Sequence, residues 1–454
     1  MELRAYPRPK NDTGIGFHYY PDMRHYEAGD LELWLPELKS LGTSWLCLLA
    51  PVSEPLPRFF VHTLLEAEIE PIIRLYTSTV CSVDMPGLRK LLDTYATWGV
   101  HYLHLFNEPN LIREWGWEAW SQPRLVERFM DLLIPALEAM DQAGLYPLMT
   151  PLAPGGDYWD LSFLRSALEI MRARGKERLF DRMAVSVHNY PFNKPLMWGH
   201  GGQARWPAAR PYYSPPRSQD HLGFLLPQWY DELIWERLGW SLPLICTENG
   251  PRVGDSQHPN FPAIDEARHA QISVEMSRRL MAAELPNYMF NNCFWLLVNG
   301  QSNPFEEHAW YKADGRQLPA VRAMKELPKH PRRWSELGPG WGITRPTEPG
   351  KSLYHYLLFP QWEWGISNWY WRLAFEYVKA FRPTCGFRPR DAAQAQYVTV
   401  VGHWRGISEA TVAELKAKGC QVERIAGQDG AQTKKILDTL AREGRRFLTF
   451  EEPS

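Results

Sequence analysis

Two glutamates stand at the ends of apolar stretches that are predicted as buried strands. Glu108 follows residues 101–106, which are apolar or aromatic without a helical period. Pro109 ends that stretch because it has no amide hydrogen for a strand ladder. Glu248 ends a second stretch of this kind, residues 242–248. Two carboxylates held in this way can serve as a general acid/base and a nucleophile, provided that the fold brings them together.

The segments around these glutamates alternate between predicted strands and predicted helices. Continuous apolar runs such as these are typical of parallel strands that are buried on both faces. Eight strands and their helices within about 315 residues predict an α/β fold, a TIM (β/α)8 barrel with long loops. A doubly wound open sheet is the alternative, but it usually has fewer strands. The predicted strands are residues 14–20, 43–50, 70–77, 100–108, 145–152, 182–190, 242–248 and 288–297.

Active sites of such barrels lie at the C-terminal ends of the strands. Polar and aromatic residues are concentrated there in this sequence. They are His18 on the first predicted strand, Arg74 on the third, Asn107 and Glu108 on the fourth, His188 and Tyr190 on the sixth, Glu248 on the seventh and Trp295 on the eighth. Trp115 and Trp159 follow the fourth and fifth strands and are candidates to line a cleft, although core or loop packing explains them equally well.

The glutamate pair fits the cleavage of a glycosidic bond. That reaction needs an acid for the leaving oxygen and a second carboxylate at the anomeric carbon, about 5–5.5 Å away in retaining enzymes. Opposed strand ends of a rigid barrel would hold Glu108 and Glu248 at such a distance. The alternative for either glutamate is a strand-end charge that pairs with an arginine.

Four short motifs together resemble the signatures of clan A glycoside hydrolases, the retaining (β/α)8 enzymes with catalytic carboxylates on strands four and seven. The resemblance covers residues 14–327. The motif at strand six is similar to the His-x-Tyr of the cellulase and mannanase families, and the motif at strand eight resembles the platform tryptophan. Asn-Glu-Pro alone is a weak match, whereas the four motifs in this order form a specific signal. They are Asn107-Glu108-Pro109, Thr247-Glu248-Asn249-Gly250, Val187-His188-Asn189-Tyr190 and Phe294-Trp295.

The resemblance implies a role for each matching residue. Glu108 would be the general acid/base, with a raised pKa, and Glu248 would be the ionised nucleophile. The implied activity is retaining hydrolysis of a β-linked oligo- or polysaccharide by double displacement, without a metal or an organic cofactor. By the same resemblance, Asn107 would bond the sugar 2-hydroxyl and Trp295 would lie beneath the sugar. Tyr190 would orient the Glu248 carboxylate, and His188 would line the same subsite.

The sequence departs from the clan's pattern at one position. Clan members often carry an arginine near the end of strand two, beside the nucleophile, but residues 44–49 contain none. Arg74 on the third predicted strand either takes that role or pairs with a different carboxylate. Two other functions also fit the same residues: a non-catalytic carbohydrate-binding protein on the same barrel, and a transglycosidase that uses the same glutamates.

Composition limits the partners. The formal net charge is -2, which argues against nucleic acid and membrane surfaces as partners. The partner that the resemblance implies is a carbohydrate substrate. The six cysteines show no spacing typical of a zinc site. Residues 1–11 lack the apolar core of a signal peptide, so we expect either a cytoplasmic protein or the mature form of an exported bacterial one.

A change in composition after Pro328 predicts further parts of the chain. We expect residues 1–327 to form the catalytic barrel, residues 328–390 a linker and aromatic wrapping segment, and residues 391–454 a small αβ domain. Residues 406–427 loosely resemble a bacterial cell-wall-binding repeat, which implies a weak contact between this domain and cell-wall glycan. A structural cap on the barrel is the favoured alternative.

Overall fold

The computed structural model of the protein describes residues 3–300, 305–332, 351–362 and 368–450. The chain forms two compact units, Met1–Gly342 and Ile343–Ser454. No helix among the described residues combines the length and the apolar character needed to cross a membrane.

The first unit is built on an eight-stranded parallel sheet that curls into a nearly closed barrel. Its order is β7-β6-β5-β4-β3-β2-β1-β8, and parallel bridges from Leu244 to Met289 and from Asn249 to Phe294 join β7 to the region of β8. The predicted TIM barrel is therefore confirmed. The strands are β1 (Ile15–His18), β2 (Trp45–Pro51), β3 (Glu70–Tyr76), β4 (Tyr102–Leu105), β5 (Tyr146–Met149), β6 (Ala184–His188), β7 (Leu244–Glu248) and β8 (Asn292–Phe294).

Helices surround the barrel, and their apolar faces pack on the strands. In the described part of this unit they are α1 (Ala28–Leu41), α2 (Arg58–Glu66), α3 (Met85–Thr97), α4 (Trp117–Trp120), α5 (Leu125–Gln142), α6 (Asp160–Ala173), α7 (Gly202–Arg205), α8 (Leu226–Leu238), α9 (Glu266–Met281) and α10 (Pro319–Glu326). Short 3-10 helices cover Leu3–Ala5, Ile112–Glu114, Glu177–Asp181 and Glu306–His308.

Local sequence signals explain where these helices begin and end. Helix α1 starts in a reciprocal capping box between Glu27 and Asp30, and it stops at Gly42, whose φ of 79° suits a residue without a Cβ. Asp84 and Asp265 cap α3 and α9 by accepting hydrogen bonds from backbone amides. These signals set the helix ends, and burial against the strands then fixes the helices in place.

The second unit is a four-stranded parallel sheet with helices on both faces. The strands are β9 (Leu353–Leu358), β10 (Thr384–Gly386), β11 (Ala395–Val401) and β12 (Gln421–Ile425), in the order β10-β9-β11-β12. The helices are α11 (Asn368–Phe381), α12 (Pro389–Ala392), α13 (Glu409–Ala417) and α14 (Gly430–Glu443). Two separate apolar clusters form, one toward α12 and α13 and the other toward α11 and α14.

The predicted domain boundaries need correction. Residues 328–390 were expected to be a linker and wrapping segment, yet β9, α11 and β10 lie within them and belong to the second sheet. The aromatic residues of α11 therefore include core residues such as Tyr377, which is buried. Residues 333–350 of the predicted linker lie outside the described residues.

Candidate active site

Glu108 lies just beyond the C-terminal end of β4, in a turn with unusual backbone angles. Phe106 and Glu108 both adopt left-handed conformations, with φ of 67° and 42°. Such conformations cost about 1–3 kcal/mol in a residue with a side chain and persist only where the surroundings hold them. Here the Glu108 amide donates to the carbonyl of Pro151 at 3.1 Å, so the loop after β5 holds the turn.

Asn110 fastens the same turn to the loop after β5. Its Nδ2 donates to the carbonyls of Ala153 at 2.8 Å and Tyr158 at 3.0 Å, and its Oδ1 accepts from the Ala153 amide at 2.8 Å. The side chain is fully buried. Asn110 has no distinctive sequence signal, because an asparagine after Glu-Pro is also ordinary in turns.

Glu248 ends β7 and is buried in the barrel mouth with a separate partner for each oxygen. Arg74 Nη1 donates to its Oε1 at 2.6 Å, and the Tyr190 hydroxyl donates to its Oε2 at 2.8 Å. Arg74 comes from β3, across the barrel. An arginine of the third strand therefore contacts Glu248, whereas residues 44–49 of the second strand include no arginine.

His188, at the end of β6, connects the two glutamates. Its Nδ1 lies 2.8 Å from Oε1 of Glu108 and 3.8 Å from Oε2 of Glu248. Its Nε2 lies 3.1 Å from the hydroxyl of Thr247, which in turn contacts the Ser186 hydroxyl. A register shift between Val187 and His188 pairs His188 with Glu248 across the strands, and bulges of this kind redirect side chains near active sites.

The two carboxylates are close together. One oxygen of Glu108 and one of Glu248 lie within 4.8 Å of each other, and both residues are less than a tenth exposed. This close approach is compatible with the carboxyl separation of about 5–5.5 Å in retaining pairs and is shorter than the separation of about 6.5–9.5 Å in inverting pairs. The tertiary structure thus brings together the residues that the sequence analysis paired.

Both carboxylates have pKa values below the ordinary value for glutamate. For Glu248, burial raises the pKa, but the charges of His188 and Arg74 outweigh burial. For Glu108, burial again raises the pKa, and it is outweighed by the hydrogen bond and charge of His188 and by Arg113. The raised pKa expected for Glu108 is therefore not found in this structure. The largest cause is the hydrogen bond and charge of His188, and the charge of Arg113, which sequence reasoning missed, adds to it.

Arg113 lies on the 3-10 turn Ile112–Glu114. Its Nη2 donates to Oε2 of Glu108 at 2.6 Å, and its Nε donates to Oε1 of Glu114 at 3.3 Å. The Arg113 side chain is 70% exposed, whereas His188, on the other oxygen of Glu108, is fully buried. A charged residue in a loop carries no sequence signal for this contact, so only the fold reveals it.

Two further histidines lie inside the barrel mouth. His18 and His104 are fully buried, and burial together with the Arg74 charge lowers the pKa of each to about 3, so both are neutral at pH 7. No described residue is recorded as a hydrogen-bond partner of either ring nitrogen of His18. The rings of His18 and Trp295 pack edge to face, with 4.6 Å between their centroids. The structure thus brings His18 and Trp295 together; His104 was not singled out from the sequence.

Trp295 closes the strand-eight side of the mouth. It is buried, its Nε1 donates to Nδ1 of His308 at 3.1 Å, and it packs with Tyr190 and Phe192 in a small apolar cluster. Arg252 lies 5.2 Å above the Tyr190 ring. These contacts give the hydroxyl of Tyr190 a fixed direction toward Glu248.

Asn107 borders a cavity of about 220 Å³ on the strand-three side of the mouth. Arg74, Ser78 and Arg113 also line this cavity. The Asn107 Oδ1 is buried, and no described residue is recorded as its hydrogen-bond partner. A buried acceptor beside a polar cavity is suited to bind a hydroxyl of a ligand.

The remaining two tryptophans lie in other surroundings. Trp115 is buried in the core, donates to the carbonyl of Pro109 at 2.7 Å and lies under Arg128. This environment favours packing over substrate contact. Trp159 is half-buried between His221 at 4.6 Å and Tyr212 at 4.9 Å, in the loops that follow β5 and β6. Their roles as substrate contacts stay predictions.

The described residues contain one group whose ligand atoms could reach a single metal ion: Glu108, His188 and Glu248. The charges beside it do not suit a cation, because Arg74 and Arg113 each form an ion pair with one of the two carboxylates. The arrangement is instead suited to proton transfer and nucleophilic attack at a carbon held between the carboxylates.

No family model matches the chain, and no curated protein matches its sequence. A family 39 glycoside hydrolase from Bacteroides cellulosilyticus WH2 is 13% identical, with a TM-score of 0.47, over 71% of this chain and 64% of that one. A monomeric β-xylosidase from Caulobacter crescentus CB15 is 15% identical, with a TM-score of 0.43, over 71% and 69%. A GH128 (subgroup II) endo-β-1,3-glucanase from Sorangium cellulosum is 16% identical, with a TM-score of 0.40, over 68% and 99%. This chain spans less than two thirds of the length of the first of these proteins. With TM-scores below 0.5, a function for this chain has to be inferred from the geometry of its own site.

Proposed function

We propose that the protein is a retaining glycoside hydrolase that cleaves a β-linked oligo- or polysaccharide by double displacement. The observation that supports it most is the separation of Glu108 and Glu248, whose nearest oxygens lie within 4.8 Å at the C-terminal mouth of the barrel. A pair at this separation can hold an anomeric carbon and a glycosidic oxygen between its members.

The first displacement uses both glutamates at once. A Glu248 oxygen forms a bond to the anomeric carbon while the bond from that carbon to the leaving oxygen breaks. The leaving oxygen takes the proton of Glu108. In the second displacement, water gives a proton to the Glu108 carboxylate and its oxygen attacks the anomeric carbon, which releases Glu248 and the sugar with its original configuration. Neither displacement needs a metal ion or an organic cofactor.

The neighbours of Glu248 support its role as nucleophile. Arg74 and Tyr190 each hold one of its oxygens, and they keep the carboxylate ionised and oriented. The charge of Glu108 raises the pKa of Glu248, and this repulsion acts on both carboxylates. Esterification of Glu248 removes its charge and therefore the repulsion that opposes an ionised Glu108 when Glu108 must accept a proton.

The substrate contacts follow from unpaired polar groups and aromatic surfaces at the mouth. Asn107 offers a buried oxygen beside the cavity, His18 offers two ring nitrogens, and Trp295 offers an apolar surface for a sugar ring. The β-linkage rests on the resemblance to clan A. The weak contact of the second unit with cell-wall glycan also stays a prediction, and it would be tested by sedimentation with insoluble peptidoglycan.

Product stereochemistry tests the proposal. Aryl-glycosides and polysaccharides would be screened, and proton NMR would identify the anomer that forms first from an active substrate. We expect retention, and an inverted product would refute the double displacement.

Substitution of the glutamates tests which residues carry the reaction. Glu108→Gln should lower kcat/KM by about 10²–10⁴-fold for a substrate with a poor leaving group and far less for a dinitrophenyl glycoside, which needs no acid. Glu248→Gln should abolish turnover of both. Glu326→Gln is the matched control, because Glu326 lies on α10 with an exposed side chain. Unchanged hydrolysis in the two site variants would contradict the mechanism.

A further inference from the structure

The two oxygens of Glu108 lie in unequal surroundings. Oε1 contacts His188, which is fully buried, whereas Oε2 contacts Arg113, whose side chain is 70% exposed. Oε2 is therefore the oxygen of Glu108 that lies on the more exposed side of the carboxylate. That oxygen is the one Arg113 holds at 2.6 Å.

We propose that Arg113 is a positioning residue that holds the Glu108 carboxylate through Oε2 and must move off this oxygen before Glu108 can protonate a leaving group. The proposal rests on the proposed function. It assigns to Arg113 a role in the acid step that the glutamate pair alone does not supply. A bound substrate would displace the guanidinium, and the proton of the acid would then stand on the oxygen that faces the scissile bond.

A second ion pair gives Arg113 a place to go. Its Nε already donates to Oε1 of Glu114 at 3.3 Å, so its charge stays paired after it leaves Glu108. Glu114 is itself fixed, because its carbonyl accepts from the Val80 amide at 2.6 Å. The Ile112 amide donates to Asp157 at 2.8 Å and anchors the other end of the turn. Only the side chain of Arg113 therefore needs to move.

The pKa of Glu108 supports this geometry. Burial raises it, and His188 and Arg113 outweigh burial, so Glu108 is ionised at pH 7 while both residues contact it and cannot then act as an acid. Removal of the guanidinium takes away one group that stabilises the ionised form, and the pKa then rises. The titratable or charged residues that face Glu108 or interact with it are Arg74 from β3, Arg113 and Glu114 from its own loop, His188 and Tyr190 from β6 and the residues after it, Tyr230 from α8 and Glu248 from β7.

Two variants and one control test the role of Arg113. Arg113→Met removes the charge, and Arg113→Lys keeps a cation on the same turn. Arg322→Met is the control, because Arg322 is an exposed arginine that pairs with Glu326 on α10, as Arg113 pairs with Glu114. Carbon-13 NMR of labelled glutamate side chains would follow the titration of Glu108, whose signal is identified by its loss in Glu108→Gln.

We expect the Glu108 signal of Arg113→Met to titrate at higher pH than in the wild type. The alkaline limb of kcat/KM, measured with a poor leaving group, should move in the same direction, while Arg113→Lys and Arg322→Met keep the wild-type profile. A wild-type titration midpoint in Arg113→Met would overturn the proposal. If the wild type hydrolysed no glycan, the proposed function would fail, but the titration would still decide whether Arg113 holds Glu108.

Discussion

Replacing Arg74 by methionine probes the ion pair at the nucleophile. The change removes the cation 2.6 Å from Glu248 and keeps an unbranched apolar stem in its place. Glu248 stays buried and keeps the hydroxyl of Tyr190 at 2.8 Å. Because the lost cation stabilised the ionised carboxylate, the pKa of Glu248 rises, and the acid limb of kcat/KM should move to higher pH.

The cost in stability follows from the burial of the pair. The side chains of Arg74 and Glu248 are only 14% and 10% exposed, so the methionine variant leaves a buried carboxylate without its cation. Breaking such a pair costs about 3–5 kcal/mol. We expect about 3 kcal/mol at pH 7, the lower end of that range, because Tyr190 still donates a hydrogen bond and His188 lies 3.8 Å away.

The destabilisation should depend on pH. In the wild type the folded pKa of Glu248 is depressed, so its contribution to stability is present above the unfolded pKa and is lost as the pH falls through the folded pKa. In Arg74→Met the charge that lowers the pKa of Glu248 most, after that of His188, is gone, and protonation relieves the buried carboxylate at a higher pH. The difference in stability between the two proteins should therefore shrink as the pH falls from 7 toward the folded pKa of the wild type.

Hydrogen exchange of amides in β3 and β7 would measure the stability of the barrel separately from that of the second unit. The double variant Arg74→Met/Glu248→Gln removes both charges, so it should lose less stability than the sum of the two single variants. Additive losses, or a difference that stays constant from pH 7 to pH 4, would show that the pair is not coupled as the distances indicate.

Two further predictions concern the supports of the site and of the second unit. Asn110→Ala removes three hydrogen bonds, two of them buried, and should cost about 3 kcal/mol. The kcat should fall more than KM changes because Glu108 is displaced; unchanged thermal unfolding and kcat would contradict this. The Glu423 carboxylate accepts hydrogen bonds from the amides of Leu448 and Thr449 at 2.9 Å. Glu423→Gln should therefore speed hydrogen exchange of residues 447–450 without changing hydrolysis. Exchange at the wild-type rate would contradict this prediction.

Much of the barrel could be predicted because its signals are local. Each strand is an apolar run between turn residues, and the alternation with helices recurs eight times. Tyr190 and Arg74 were expected at the mouth because they lie at strand ends, which meet at one mouth in a parallel barrel. Their contact with Glu248 was an expectation from the resemblance to clan A. The structure places both on the Glu248 carboxylate.

Other features depended on packing that no local pattern records. The aromatic residues of α11 indicated a wrapping segment. An amphipathic helix that packs on one face of a sheet, as α11 does, can have the same composition. Trp115 follows β4 closely in sequence, but its side chain packs on Phe129 of α5, with 6.4 Å between the ring centroids. Proximity along the chain therefore did not decide which tryptophans face the mouth.

The sequence by itself determined the barrel and the two glutamates at the ends of its fourth and seventh strands, because strand periodicity and turn residues act over a few positions. Only the tertiary structure decided how those glutamates are ionised. Arg74 reaches Glu248 from across the barrel, and Arg113 reaches Glu108 from a loop. Electrostatic interactions depend on distances of a few ångströms between residues from different elements, and those distances exist only once the chain is folded.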